Sequence, residues 1–159
     1  MSLDTVRKYL QPLGYADRMM VLDASSATVP EAAKALGVKE QLIAKTLSFQ
    51  VKEKVILLVA AGDARLDNHN YKHTFHAKAK MLPHDDTEAL TGHPVGGVCP
   101  FANPDGVEVY LDESLKRFEI VYPACGSANS AIPFTPDELF EASGAVAWVD
   151  VCKIPETEE

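Results

Sequence analysis

The chain has 159 residues, of which 47% are hydrophobic and 24% are charged, and this composition is typical of a globular protein of one domain, residues 1–159. A formal net charge of −8 excludes the continuous basic surface that grips long nucleic-acid duplexes. This net charge is compatible with a local basic pocket that holds one or two phosphates, and with a small-molecule substrate. No apolar run approaches the roughly 18 residues of a membrane span, and three cysteines without C-x-x-C spacing predict a reducing, cytoplasmic location.

The first third of the chain predicts two helices and a short strand. Apolar residues at helical spacing predict a helix over residues 2–13 that ends at Gly14, and residues 17–22 predict a short strand. Thr28-Val29-Pro30-Glu31 has the pattern of a capping box and begins a helix that ends at Gly37. Residues 38–44 predict one or two further helical turns.

Lys45 follows at the predicted junction between helix and strand. Strands are predicted over residues 46–51 and 55–61, joined by the hairpin turn Lys52-Glu53-Lys54. Because its neighbours Ile43, Ala44 and Leu47 are apolar, the lysine either extends its ammonium group to solvent or points it into a cleft. The sequence leaves both orientations open.

Three histidines lie in a predicted helix that runs towards Phe75. His69, His73 and His76 are spaced by four and three residues, so one helix face could carry all three, as in helical zinc sites. No glutamate is placed among them as a general base, and three nearby lysines disfavour a cation. We predict a solvated helix face, with no metal and no cofactor.

A segment rich in glycine and proline is the strongest candidate for a binding loop: Gly92-His93-Pro94-Val95-Gly96-Gly97-Val98-Cys99-Pro100-Phe101. It follows a predicted helix over residues 85–91. The prolines restrict the backbone on both sides, and the central glycines expose N–H groups that can hold a carbonyl or an oxyanion. An ordinary connection between two elements can have the same composition.

The remaining chain predicts further strands and one helix. The strands cover residues 79–82, 107–111, 118–122, 131–134 and 145–151, and a capped helix runs from Thr135 to Gly144. A second loop of small residues, Ala124-Cys125-Gly126-Ser127-Ala128-Asn129-Ser130, separates two of these strands. Helices and strands interleave, so the predicted class is α/β or α+β with a mixed sheet.

Four segments in this order resemble the YbaK family, whose domain also serves prolyl-tRNA synthetases in editing. The segments are Thr28–Ala33 with Ile43–Leu47; Gly62–Asp67; Thr91–Phe101; and Leu111–Leu115 followed by Cys125–Ser127 and Thr135–Leu139. The resemblance covers roughly residues 20–150. It implies a mixed, mostly antiparallel, partly barrel-like sheet surrounded by helices.

The resemblance also implies an activity and a set of site residues. The activity is aminoacyl-tRNA deacylation in trans, in which the ester of a small mischarged amino acid on the tRNA 3′ end is hydrolysed. Catalytic roles fall to Lys45, Gly96, Gly97 and Val98. Substrate-binding roles fall to Gly92, His93, Pro94, Cys99, Pro100, Gly126 and Ser127. Ala124 and Ala131 stand where members acting on cysteinyl-tRNA would carry a serine and a carboxylate, which argues against a cysteine-specific role.

Two other functions are compatible with the sequence. The first is a non-catalytic module that binds an aminoacyl group, a tRNA end or a synthetase, and the second is a metal-dependent hydrolase built on the three histidines. The expected partner is the aminoacyl-tRNA acceptor end, bound weakly through few phosphate contacts because the chain is acidic. A synthetase is a further candidate partner, and no membrane is expected.

Overall fold

The computed structural model describes residues 2–155, which form five α-helices and nine strands. The helices are α1 Ser2–Leu10, α2 Val29–Leu36, α3 Asn68–Phe75, α4 Thr87–Thr91 and α5 Pro136–Ser143. The strands are β1 Met20–Val21, β2 Ile43–Val51, β3 Lys54–Ala61, β4 Arg65–Leu66, β5 Glu108–Asp112, β6 Tyr122–Pro123, β7 Ser130–Ala131, β8 Ala147–Val149 and β9 Cys152–Lys153. Four short 3₁₀ helices cover Ala16–Arg18, Glu40–Leu42, His84–Asp86 and Glu113–Arg117.

The central sheet has the strand order β6-β2-β3-β5-β8 and curls into a half-barrel. Its longest ladder is the antiparallel hairpin of β2 and β3, with eight residue pairs from Ala44↔Ala61 to Val51↔Lys54. The other three strands, β6, β5 and β8, join by short parallel ladders. Two small antiparallel sheets, β1-β7 and β4-β9, close the ends. The predicted mixed, mostly antiparallel and partly barrel-like sheet with surrounding helices is confirmed.

The core packs against both faces of the central strand β3. Residues 56–61 of β3 are at most 2% exposed, and their continuous apolar run reflects burial on both faces. On one side α3 packs through Tyr71, whose ring contacts the rings of Phe49 on β2 and Phe75. On the other side the Tyr9 hydroxyl of α1 donates to the Ala142 carbonyl of α5 at 2.6 Å.

Local capping signals place two of the helices as predicted. The Thr28 hydroxyl accepts from the Glu31 N–H, and Gly37 ends α2 in the left-handed conformation at φ 72°. Thr135 and Glu138 form a full capping box at the start of α5, and Gly144 ends that helix. These caps fix both ends of each helix.

Several predicted elements differ from the structure. Of the predicted strands 118–122 and 131–134, only Tyr122 in β6 and Ala131 in β7 belong to strands. Residues 17–22 form only the two-residue strand β1 after a 3₁₀ turn, and residues 38–44 form a single 3₁₀ turn before β2 begins at Ile43. Residues 79–82 are extended, but only Met81 makes a β-bridge, with Phe49. In each case pairing with a distant strand decides where the element begins. No helix of the described residues has the length and apolarity needed to cross a bilayer.

Candidate functional site

A cavity of about 440 Å³ opens beside the first half of β2. Its walls come from residues 26–32, 43–48, 81–87, 95–98 and 122–131, which are far apart in the sequence. Of the predicted site residues, Lys45, Gly96 and Val98 line it. The fold therefore brings the lysine and the glycine-rich loop to one cavity.

Lys45 is the third residue of β2, so it lies inside the strand and not at a junction ahead of it. Its half-buried side chain lines the cavity, and its Nζ donates a hydrogen bond to the Ala64 carbonyl beyond the end of β3. Burial lowers the pKa of Lys45 below the ordinary lysine value of 10.5, while Cys152 and Asp63 act in the opposite direction. The ammonium group is thus a partly desolvated positive charge at the cavity wall.

The glycine-rich loop makes a tight turn at the cavity. The Gly97 N–H donates to the Pro94 carbonyl at 2.9 Å, and Gly96 has a φ of 87° that favours glycine. The Gly97 N–H is therefore already used within the loop and adds no free donor to the predicted oxyanion site. Within residues 2–155 the N–H groups of Gly96 and Val98 have no hydrogen-bond partner, and both residues line the cavity.

Gly97 instead allows a close contact between two loops. A Cβ at this position would lie 2.8 Å from the Ser127 Cα, closer than real side chains approach. A Cβ at Gly96 would lie 3.2 Å from the Ala27 Cβ and 3.4 Å from the Ala128 Cβ. The glycine-rich loop is thus wedged against the second small-residue loop, and this contact fixes one cavity wall.

His93 and Asn103 hold the glycine-rich loop in shape from within. His93 is 0% exposed, and its Nε2 lies 2.7 Å from the Phe101 carbonyl, which can only accept, so Nε2 carries the proton. The Asn103 amide donates to the carbonyls of Thr91 and Cys99 at 3.1 and 3.2 Å. Burial lowers the pKa of His93, so the imidazole is neutral. These contacts describe a structural histidine.

The seven residues predicted to bind substrate are separate from the lining of this cavity. Within the described residues, the cavity lining does not include Gly92, His93, Pro94, Cys99, Pro100, Gly126 or Ser127. Gly92 ends α4 with a φ of 81°. Burial raises the pKa of the Cys99 thiol, and it raises that of Cys125 to about 11, so neither thiol is an activated nucleophile.

Hydroxyl side chains near the cavity were missed by the sequence reasoning. Ser130 lines the cavity, and its Oγ accepts from the N–H groups of Cys125 and Ser127, both at 3.2 Å, and donates to the Ser127 carbonyl at 3.0 Å. Ser26 and Ser48 line it as well. Only Ser130 belongs to a segment that its composition singles out. Ser48 is placed by the pairing of β2, and Ser26 by hydrogen bonds to the Ala128 and Ser130 carbonyls.

The histidine face of α3 forms no metal centre. In the part of the chain that the structure describes, no group of three His, Cys, Asp or Glu side chains is arranged to hold a metal ion. His76 is the residue after α3 and has a left-handed φ of 59°, so it leaves the helical register of His69 and His73. The alternative of a metal-dependent hydrolase therefore finds no ligand set here.

Comparison with known proteins places this cavity in a family context. Residues 23–142 match the family model for the aminoacyl-tRNA editing domain. The chain belongs to this family. Lys45 and the glycine-rich loop both lie within the matched part of this editing domain.

Relatives of this editing domain include both free-standing and synthetase-linked proteins. Uncharacterized protein YwhH of Bacillus subtilis is 50% identical over 154 residues, covering 96% of this chain and 98% of that protein. A proline–tRNA ligase of Halalkalibacterium halodurans is 27% identical over 115 residues, which cover 72% of this chain but 20% of the ligase. The crystal structure of a candidate trans-editing enzyme for prolyl tRNA synthetase superposes with a TM-score of 0.85 at 29% identity, covering 96% of this chain and 97% of that one.

Proposed function

We propose that this protein is an aminoacyl-tRNA deacylase that hydrolyses the ester between a small mischarged amino acid and the tRNA 3′ end. One observation carries the proposal: in a chain of the editing family, Lys45, Gly96 and Val98 line the same cavity, and the Gly96 and Val98 N–H groups have no partner within residues 2–155. The alternative metal-dependent mechanism has no comparable support.

The reaction needs a water molecule and a site for negative charge. Water attacks the ester carbonyl carbon, and the carbonyl oxygen becomes an oxyanion. When the carbonyl re-forms, the bond to the ribose oxygen of the terminal adenosine breaks, and that oxygen takes up the proton that the water has lost. The products are a free amino acid and an uncharged tRNA. The Gly96 and Val98 N–H groups are the donors available for the oxyanion, and one such donor contributes roughly 3 to 4 kcal/mol to the transition state.

Lys45 supplies a positive charge that can bind the oxygens of the terminal nucleotide. Its ammonium group is held at the cavity wall by the Ala64 carbonyl, and within residues 2–155 no Asp or Glu lines the cavity to neutralise it. In our proposal it binds the phosphate or ribose oxygens of the terminal adenosine. The aminoacyl group then reaches the N–H groups of the glycine-rich loop.

The size of the cavity and the relatives suggest the substrate class and the partners. A volume of about 440 Å³ falls at the lower end of the range for small-ligand sites, and suits a terminal nucleoside carrying a small amino acid. Because the matching part of a proline–tRNA ligase is one of its relatives, a prolyl-tRNA synthetase is a candidate partner, and the cytoplasm is the compartment we propose.

The proposal is tested by deacylation of a panel of tRNAs charged with Ala, Ser, Thr, Cys or Pro. We expect the wild type to hydrolyse one or two of them and Lys45→Ala to lose that activity. Lys54→Ala, on the neighbouring strand but in a surface ion pair with Glu108, is the matched control and retains it. Absence of turnover by the wild type on the whole panel would refute the deacylase and leave the non-catalytic binding module.

A further inference from the structure

Positive charge is concentrated in one segment of this acidic chain. Residues 68–84, named here the basic strip, contain three lysines, four histidines and no Asp or Glu. The rest of the chain carries the other 12 of the 15 Lys and Arg residues and all 23 acidic residues. A segment of this charge in a protein of net charge −8 favours contact with a polyanion.

The three lysines of the basic strip are available for such a contact. Lys72, Lys78 and Lys80 are exposed, and within residues 2–155 none of them forms an ion pair or a side-chain hydrogen bond. By contrast, Lys116 and Lys153 are each paired with an acidic side chain. The charges of the three strip lysines are therefore not neutralised by acidic side chains within residues 2–155.

The backbone of the strip is held rigidly against the sheet. Its helix, α3, is anchored by the Tyr71 and Phe75 rings, the latter packing edge-on to Tyr110 of β5 at 5.0 Å. Further along, the Gln50 N–H of β2 donates to the Lys80 carbonyl at 2.8 Å. Lys78 and Lys80 alternate with the half-buried Ala77 and Ala79, so both lysines face solvent on the same side, about 6.6 Å apart along the backbone.

The strip leads directly to the cavity. Met81 and Leu82 line the cavity immediately after Lys80, and the Leu82 N–H donates to the carbonyl of Ser48, another lining residue, at 3.1 Å. Met81 is 58% exposed, which leaves an apolar side chain at the rim beside the last lysine. Acidic residues resume only at Asp85, beyond His84.

We propose that the basic strip is the RNA-binding surface of the protein. Its three lysines bind backbone phosphates of the tRNA acceptor end while the aminoacyl group occupies the cavity. This second part rests on the proposed deacylase function. Three phosphate contacts agree with an acidic protein that binds RNA weakly, because the rest of its surface repels the polyanion.

The test measures binding alone, so that it does not depend on turnover. The probe is a fluorescein-labelled acceptor-stem RNA hairpin with a single-stranded CCA 3′ end, and its affinity is followed by fluorescence anisotropy over a series of salt concentrations. For the wild type we expect the plot of log K against log salt to have a slope of about −2 to −3. Lys78→Ala/Lys80→Ala should reduce the size of this slope by about 1.5 and weaken binding at low salt roughly tenfold.

Two matched variants separate local from general effects of charge. Lys8→Ala/Lys116→Ala removes the same charge from α1 and from the 3₁₀ helix Glu113–Arg117, where Lys116 lies over Trp148, and should bind like the wild type. Lys78→Arg/Lys80→Arg keeps the charge and should also bind like the wild type. Adding Lys72→Ala to the strip variant should reduce the slope by about one more.

The result that overturns the proposal is an unchanged slope and affinity in Lys78→Ala/Lys80→Ala, or an equal loss in Lys8→Ala/Lys116→Ala. Failure of the wild type to bind the hairpin would also overturn it. The proposal would also be overturned if Lys78→Ala/Lys80→Ala kept its binding to RNA but lost binding to a prolyl-tRNA synthetase, because the strip would then be a protein-binding surface. Because the hairpin carries no amino acid, none of these outcomes decides whether the protein is a deacylase.

Discussion

Gly97→Ala provides a sharp test of the contact between the two loops that form one cavity wall. The added Cβ would lie 2.8 Å from the Ser127 Cα, about 0.6 Å inside the 3.4 Å at which ordinary Cβ contacts begin. The atom it meets is backbone, so no side chain can rotate away. Because Gly97 does not have a positive φ, the whole effect is steric.

The displacement has an expected cost in both stability and activity. Overpacking of this kind lowers the free energy of unfolding by about 1–3 kcal/mol. The shift also moves the adjoining Gly96 and Val98 N–H groups, and because a misplacement of about 1 Å can cost 10²-fold in rate, we expect a loss of kcat/KM of roughly tenfold or more. Urea denaturation and deacylation of the substrate found in the panel measure the two effects.

Gly106→Ala is the matched control. Gly106 has a φ of 93° and nothing within 4 Å of an added Cβ, so alanine there introduces backbone strain of about 1–2 kcal/mol without a steric contact. We expect a similar loss of stability and wild-type kcat/KM. A kcat/KM of Gly97→Ala within twofold of the wild type would show that the contact with Ser127 does not position the site.

Three further predictions concern titratable groups. Lys45→Met should abolish deacylation without lowering the free energy of unfolding, because burial already disfavours the charged lysine. In the wild type, rising pH should remove the Lys45 charge, and with it the activity, at a pH below the ordinary lysine pKa of 10.5. A pH–rate profile measures this loss. The pKa of Glu138 is lowered to about 2 by hydrogen bonds from the Arg18 side chain and the Thr135 N–H. The ionised Glu138 carboxylate therefore contributes fully to the free energy of unfolding above pH 4.5, and this contribution is lost as the pH falls towards 2. Denaturation at several pH values should show that Glu138→Gln is about 1 kcal/mol less stable than the wild type near neutral pH and that its stability depends less on acid. The lowered pKa of His93 means that stability falls as the pH drops below 6.5, and His93→Gln should flatten that part of the stability curve.

Local signals in the sequence are sufficient to predict the helices α2 and α5. Thr28 and Thr135 cap these helices through hydrogen bonds to residues three positions away, so the whole signal lies within one turn. The same holds for the hairpin of β2 and β3, whose turn residue Lys52 takes a φ of 57° between two apolar strands. These elements need no knowledge of the rest of the chain.

The position of Lys45 within β2 could not be predicted in the same way. The strand begins at Ile43 because Ile43 pairs with Tyr122, and Ala44 pairs with Ala61 and Pro123, all distant in the sequence. The use of the Gly97 N–H inside the loop was predictable, since Pro94 stands three residues before it in a turn pattern. Ser26 and Ser48 reach the cavity through tertiary packing, for which the sequence holds no local pattern.

The eight-pair ladder of β2 and β3 fixes the distances between the residues along β2. One end of the strand carries Lys45, and Gln50, five residues further, binds the carbonyl of Lys80. A slip of one residue would turn every side chain of β2 to the opposite face, so the pairing with the buried strand β3 fixes the register. The span along β2 from Lys45 to the residue that binds Lys80 is therefore about 17 Å. A ligand that reaches both must match that length, so the protein can select for the length of a flexible end as well as for its chemistry.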